Sequence, residues 1–148
     1  MQPPKLLPPH YLLISVVLMA LIRVFLHLPI FEADWVFIGL FPILLGLAMA
    51  GYAARQFSKA ETNIIPLTES TALVKDGMYR YTRNPMYVGM FLFLGGLALL
   101  LNSALAWLIT ISFFFLIRTL FVLREEPLMR ETFGQEYDDF CAAVRRWI

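Results

Sequence analysis

Four apolar stretches, Tyr11 to Leu28, Trp35 to Tyr52, Met86 to Leu101 and Ala104 to Leu123, decide what this chain can fold into. Coiled as helices, runs of this length match a hydrocarbon layer of roughly 30 Å, the third being the shortest. A lone strand in lipid would leave its backbone N–H and C=O groups unpaired, so each run is read as a helix. Composition agrees: 59% of residues are hydrophobic and 16% charged, against roughly a quarter charged in soluble domains. The expected fold class is all-α, a polytopic membrane protein with about four transmembrane helices plus a cytoplasmic C-terminal helix in the tail 125–148. One domain over 1–148 is expected. Lys5 ahead of the first run imitates a signal peptide, but the run is too long for such a segment and lacks a small-x-small cleavage site. It is read as a retained span.

Charge placement orients the helices. The connection from Pro29 to Asp34 carries Glu32 and Asp34 without Lys or Arg, and the Asn102-Ser103 turn is uncharged, so both are expected outside. Lys5, Arg55, Lys59, Lys75, Arg80, Arg83, Arg124, Arg145 and Arg146 fall at the opposite ends of the spans, which the positive-inside rule assigns to the cytoplasm. Both termini then face the cytoplasm, as an even number of spans requires. The expected location is a prokaryotic inner membrane.

Several classes are excluded. A net charge of +1 spread between apolar runs gives no nucleic-acid footprint. The single cysteine, Cys141, precludes an internal disulfide and a cysteine-cluster metal site, and His10 and His27 have no ligand spacing, so no metal is expected. Within the spans, Pro42 is expected to kink the second, Arg23 to snorkel to the outer surface, Gly95-Gly96 to serve close packing, and Phe113-Phe114-Phe115 to meet neighbours and lipid.

Polar sequence is concentrated in Ser58 to Asn84 and in the tail from Glu125, and function is sought there. The segment Tyr79 to Gly89 gathers arginines, tyrosines and an asparagine where the chain enters the third span. Asn84 suits the N-cap and Pro85 the first turn of that helix. Glu125 and Glu126 follow the fourth span, and with Pro127 they read as the start of a further helix whose macrodipole welcomes negative charge. Phe133, Tyr137, Phe140, Val144 and Trp147 recur at three- and four-residue spacing, giving the tail one apolar face that lies on the membrane or caps the bundle. Because the Asn102-Ser103 turn makes the last two spans a hairpin, Glu125 returns to the same membrane face as Arg83. Cations, tyrosines and carboxylates at the edge of an apolar bundle suit a charged ligand that serves a greasy partner.

The run Thr71-Ala72-Leu73-Val74-Lys75-Asp76-Gly77-Met78-Tyr79-Arg80, then Arg83-Asn84-Pro85-Met86-Tyr87-Val88-Gly89, Glu125-Glu126, Phe133-Gly134-Gln135-Glu136-Tyr137 and Val144-Arg145-Arg146-Trp147, resembles the isoprenylcysteine carboxyl methyltransferase family, including small prokaryotic members and the related phospholipid N-methyltransferases. The likeness covers about Phe57 to the end. It implies a membrane enzyme that binds S-adenosyl-L-methionine in a cytoplasmic pocket and takes a lipophilic or lipid-linked acceptor from the bilayer. By motif, Asn84, Pro85, Tyr87 and Gly89 stand where the family's Arg-His-Pro-x-Tyr-x-Gly cofactor segment stands, and Glu125 and Glu126 match its paired glutamates. Tyr79, Arg80, Asn84, Pro85, Tyr87, Gly89, Glu125, Glu126 and Tyr137 are expected to bind the cofactor. Glu125, Arg83 and Arg145 are expected to serve catalysis, with Arg145 or Arg146 either orienting an acidic acceptor or anchoring the tail to anionic headgroups. Asn84 replaces the histidine of many members, and an amide cannot act as a general base near neutral pH. Two other readings fit the same residues less well: a nicotinamide-dependent membrane reductase of related arrangement, and a non-catalytic subunit. The acceptor, whether carboxylate, amine or thiol, and the oligomeric state have no readable determinant.

Overall fold

Prolines open the first helix, where a missing N–H costs nothing: α1 runs Pro8–Phe25, its entry fixed by the Leu7 N–H donating to His10 Nδ1 at 3.2 Å. The computed structural model describes residues 5–26, 28–30, 33–68 and 70–148, the side chains of 33–35 excepted. His27, Glu32 and the Asp34 side chain lie outside the described residues. A 3₁₀ segment, Ala33–Gly39, leads into α2, Leu40–Lys59, so the apolar helix extends from Val36 to Lys59. Pro42, expected inside the span, sits in the first turn of α2, just after the 3₁₀ segment gives way to α-helix.

The third helix, α3, spans Pro85–Leu100 and is the innermost: half of its 16 residues are buried against α1, α2 and the following helix. That burial explains why a helix shorter than the other three suffices. Its contact with α2 is set by glycines. A Cβ on Gly46 would lie 2.4 Å from the Gly89 carbonyl oxygen, and one on Gly39 would lie 2.3 Å from that of Gly96. Two glycines seven residues apart on each partner therefore let the backbones touch, a packing mode that membrane helices favour. Gly96 holds this contact, while Gly95 faces the Trp107 ring.

Asn102 makes the return turn in the left-handed region (φ 46°), a conformation that asparagine tolerates. Its Oδ1 accepts from the Ile30 N–H at 2.9 Å, and the Ala104 N–H donates to the Leu28 carbonyl at 3.2 Å. The two connections expected on one face are thus bonded to each other.

From Ala104 the chain forms one continuous 30-residue helix to Phe133, made of α4 (Ala104–Ile117), a π turn (Arg118–Val122) and α5 (Leu123–Phe133). This corrects the expected break after Leu123. Glu125, Glu126 and Pro127 lie inside a helix rather than starting one, and the wider π turn precedes the residue that has no N–H to give. Gly134, with φ 52°, ends it in backbone space that suits glycine, and α6, Gln135–Ala143, folds back. Tyr137, Phe140 and Val144 are buried with Ala53, Val74 and Tyr79, and Trp147 stacks near Phe114 at 4.8 Å, so the tail caps the bundle.

The chain is a multi-pass integral membrane protein, all-helical among the described residues, which hold three long apolar helices, one shorter apolar helix and a C-terminal helix. Replacing Gly46 with leucine should cost about 3 kcal/mol or more of stability by overpacking a backbone contact. Gly51→Ala, where nothing lies within 4 Å of the added carbon, should gain about 0.5 kcal/mol. Thermal unfolding of both variants in detergent checks the contrast.

Candidate active site

At the end of the bundle opposite the Asn102 turn, the chain encloses a cavity of about 270 Å³. Its polar lining comes from the entry to α3 (Arg83, Asn84, Tyr87), from the 3₁₀ turn Gly77–Arg80 (Tyr79), from α5 and α6 (Glu125, Glu126, Tyr137), and from Asn63, Thr68 and Ser70 in the connection after α2. Its apolar lining comes from Leu7, Pro8 and Pro9 at the start of α1, from Ile64 to Leu67, and from Met90, Val122 and Leu128. A cavity with convergent polar groups and a mostly apolar wall is the ordinary form of a small-molecule site.

The two carboxylates have different partners. Glu125 accepts the Tyr87 hydroxyl at 3.1 Å. Glu126 takes Arg146 in a two-point pair, Nε to Oε1 and Nη2 to Oε2, each at 2.7 Å, and has Arg83 Nη2 at 3.5 Å. Bidentate geometry makes this pair directional as well as strong. Glu126 and Arg83 are sheltered, at 17% and 13% exposure, while Arg146 is 34% exposed, so solvent screens the Arg146 side of the cluster more.

The tail is stitched to the α3 entry by main chain too. The Arg83 N–H donates to the Arg145 carbonyl at 2.9 Å, and Thr82 Oγ1 and Asn84 Nδ2 both donate to the Arg146 carbonyl, at 3.2 and 2.9 Å. Asn84 therefore occupies the N-cap position without its side chain capping the helix, a correction to the sequence reading. Arg83 also donates through Nη1 to Cys141 Sγ, while its buried Nε has no hydrogen-bond partner among the described residues. A buried donor without a partner is costly, and here it belongs to a cavity-lining residue.

Burial, with the Glu125 charge second, pushes the Tyr79 hydroxyl well above the usual phenol range. Burial, then Cys141 and Glu126, does the same to Tyr137, with Arg83 opposing. Both rings remain neutral hydrogen-bonding groups near pH 7. The bond to Glu126 raises the Arg146 guanidinium further.

Of the residues singled out in the sequence, Tyr79, Arg83, Asn84, Tyr87, Glu125, Glu126 and Tyr137 line the one cavity. Pro85 is buried at the first position of α3, and Gly89 faces Gly46 and Ala50 on α2, so it is a packing contact there. Arg80 is exposed and paired with Asp76 at 2.9 Å, and it borders a separate outer groove with Tyr52 and Tyr81. Arg145 is exposed and contributes a carbonyl, whereas its neighbour Arg146 turns its side chain inward. The stretch Ile64 to Leu67 and the start of α1 went unnoticed in the sequence. Their only signal is apolar residues within a polar connection.

Residues 34–136 match the family model described as phospholipid methyltransferase. The chain belongs to that family. The match takes in α2, whereas the motif likeness read from sequence begins near Phe57. An uncharacterized protein of Haemophilus influenzae is 38% identical over 63 residues, 43% of this chain and all of that protein. Probable protein-S-isoprenylcysteine O-methyltransferases of rice, from the indica and japonica subspecies, are each 26% identical over 113 residues, covering 73% of this chain and 58% of theirs. The chain thus spans little more than half the length of the rice proteins. No solved structure matches.

Removing Glu126 would strand two guanidinium groups. Glu126→Ala should cost about 3 kcal/mol, near the low end for breaking a sheltered ion pair, whereas Arg145→Ala should fall within about 0.5 kcal/mol of the parent. Denaturation monitored by tryptophan fluorescence separates them, since Trp147 lies next to the pair.

Proposed function

We propose that this chain is an S-adenosyl-L-methionine-dependent methyltransferase, a single domain acting on a lipophilic or membrane-associated acceptor whose nucleophile is a carboxylate, amine or thiol. The reading is carried by one observation: the α3 entry and the twin glutamates, distant in sequence, meet around one cavity, with Tyr87 bonded to Glu125 across it. The residues fit the cofactor. The unsatisfied Nε of Arg83 and the amide of Asn84 suit its carboxylate, and Glu125 suits its ammonium or ribose hydroxyls. Tyr79, Tyr87, Phe57 and Phe140 offer rings to adenine.

When bound, the cofactor supplies a methyl group on a positively charged sulfur, open to in-line displacement. Transfer consumes that positive charge, so the protein's work is to align the reactants and exclude water rather than to form a covalent bond. Arg83 is oriented for this by Glu126 and by the tail carbonyls, and Glu125 by Tyr87. Arg145, exposed, anchors the tail to anionic headgroups, at about 1 kcal/mol. Lys5, Arg55, Lys59 and Arg124 lie at the cavity end of the helices, which supports placing that end and both termini in the cytoplasm.

Titration calorimetry of the purified protein with S-adenosylmethionine, S-adenosylhomocysteine and NADPH tests the reading. The first two should bind and NADPH should not. Tyr87→Ala and Glu125→Ala should each lose at least about tenfold in affinity for S-adenosylhomocysteine, or about 1.4 kcal/mol. Unchanged affinity in both variants would count against the assignment.

A further inference from the structure

Between α2 and the Gly77 turn, the residues Asn63–Thr68 form a loop closed by its own side chains. Asn63 Nδ2 donates to Thr68 Oγ1 at 2.8 Å, Asn63 Oδ1 accepts from the Ile65 N–H at 3.0 Å, and Thr68 Oγ1 donates to the Ile65 carbonyl at 2.7 Å. Within it Leu67 adopts φ 61°, a left-handed conformation that branched side chains rarely take. Leu67 is nevertheless 5% exposed and belongs to the same apolar cluster as Tyr87, Met90 and Val122, while its neighbours Ile64 and Ile65 stand 42% exposed. One side chain is thus turned into the cavity wall at the expense of its own backbone. Residues held in such conformations persist only where the surroundings dictate them, and they gather at ligand contacts.

We propose that Leu67 is a specificity-determining residue that limits how long a hydrocarbon chain the acceptor can carry. The inference rests on the methyltransferase reading above. The Leu67 side chain fills space in the apolar lining, which it shares with Leu7, Pro8 and Pro9 at the start of α1, while Asn63 and Thr68 of the same loop add polar lining. Because local side-chain bonds shape this loop, residue 67 can change without moving the membrane helices. Glycine at 67 would both free the volume and adopt φ 61° without strain.

The test measures, by calorimetry, the affinity of the detergent-solubilised protein saturated with S-adenosylhomocysteine for straight-chain primary amines and carboxylic acids of increasing length. In the parent protein, affinity should rise with chain length and then stop rising at a break. Leu67→Gly should move the break to longer chains by about three to four carbons, the size of the side chain removed, and Leu67→Phe should move it to shorter ones. Affinity for S-adenosylhomocysteine should stay within about threefold throughout. Leu67→Gly should also melt no lower than Leu67→Ala, which keeps the strained backbone. Leu128→Trp, on a regular helix across the cavity, should shorten the break and keeps the test open if a loop variant fails to fold. A break at the same length in the parent and the Leu67 variants, or no break at all, overturns the proposal. Failure of the parent protein to bind S-adenosylhomocysteine overturns the methyltransferase reading instead.

Discussion

The ion pair between Glu126 and Arg146 closes the polar end of this molecule. Two residues twenty positions apart, one inside a helix and one in an irregular tail, are brought to 2.7 Å at two points. Once Arg146 is fixed, its carbonyl collects Thr82 and Asn84, and the preceding carbonyl collects the Arg83 amide. The tail therefore fixes the conformation of the segment entering α3, and through it the positions of Tyr87 and Arg83. In a setting where guanidinium groups are expensive to desolvate, the Glu126 carboxylate, shared by Arg146 and Arg83, offsets one of their two positive charges beside the cavity.

Along most of α3, close approach comes from the absence of side chains. Gly39 and Gly46 on one side and Gly89 and Gly96 on the other let α2 and α3 meet backbone to backbone. This draws α3 into the interior and leaves α1, α2 and α4 to meet lipid. Three of these four glycines stand outside any motif that carries chemistry, and Gly89, which sits inside one, faces its helical neighbour.

Much of this was legible in the amino-acid order because hydrocarbon imposes few choices. Long apolar runs become helices, lysines and arginines mark one end, and a five-residue apolar rhythm in the tail shows which face docks. The pairing of Arg83 with the glutamates was approachable from the hairpin that the Asn102 turn makes. What escaped is what depends on register. Proline at 127 signals a helix start, yet the helix that follows the π turn runs through it. Arg145 and Arg146 are indistinguishable by type, and the irregular path of Val144 to Ile148 decides which of them points inward. Leu67 carries no local mark at all, since its conformation opposes its own preference.

The shortness of α3 also sets a depth. Sixteen residues rise about 24 Å, some 6 Å less than a typical hydrocarbon layer, and the Asn102 turn ties its far end level with the first connection. The shortfall therefore falls at the Pro85 end, where α3 gives way to the cavity lined by Arg83, Asn84 and Tyr87. On the proposed reading, an acceptor held in lipid would meet the polar groups of that cavity with its tail still in hydrocarbon, which spares it the cost of leaving the bilayer.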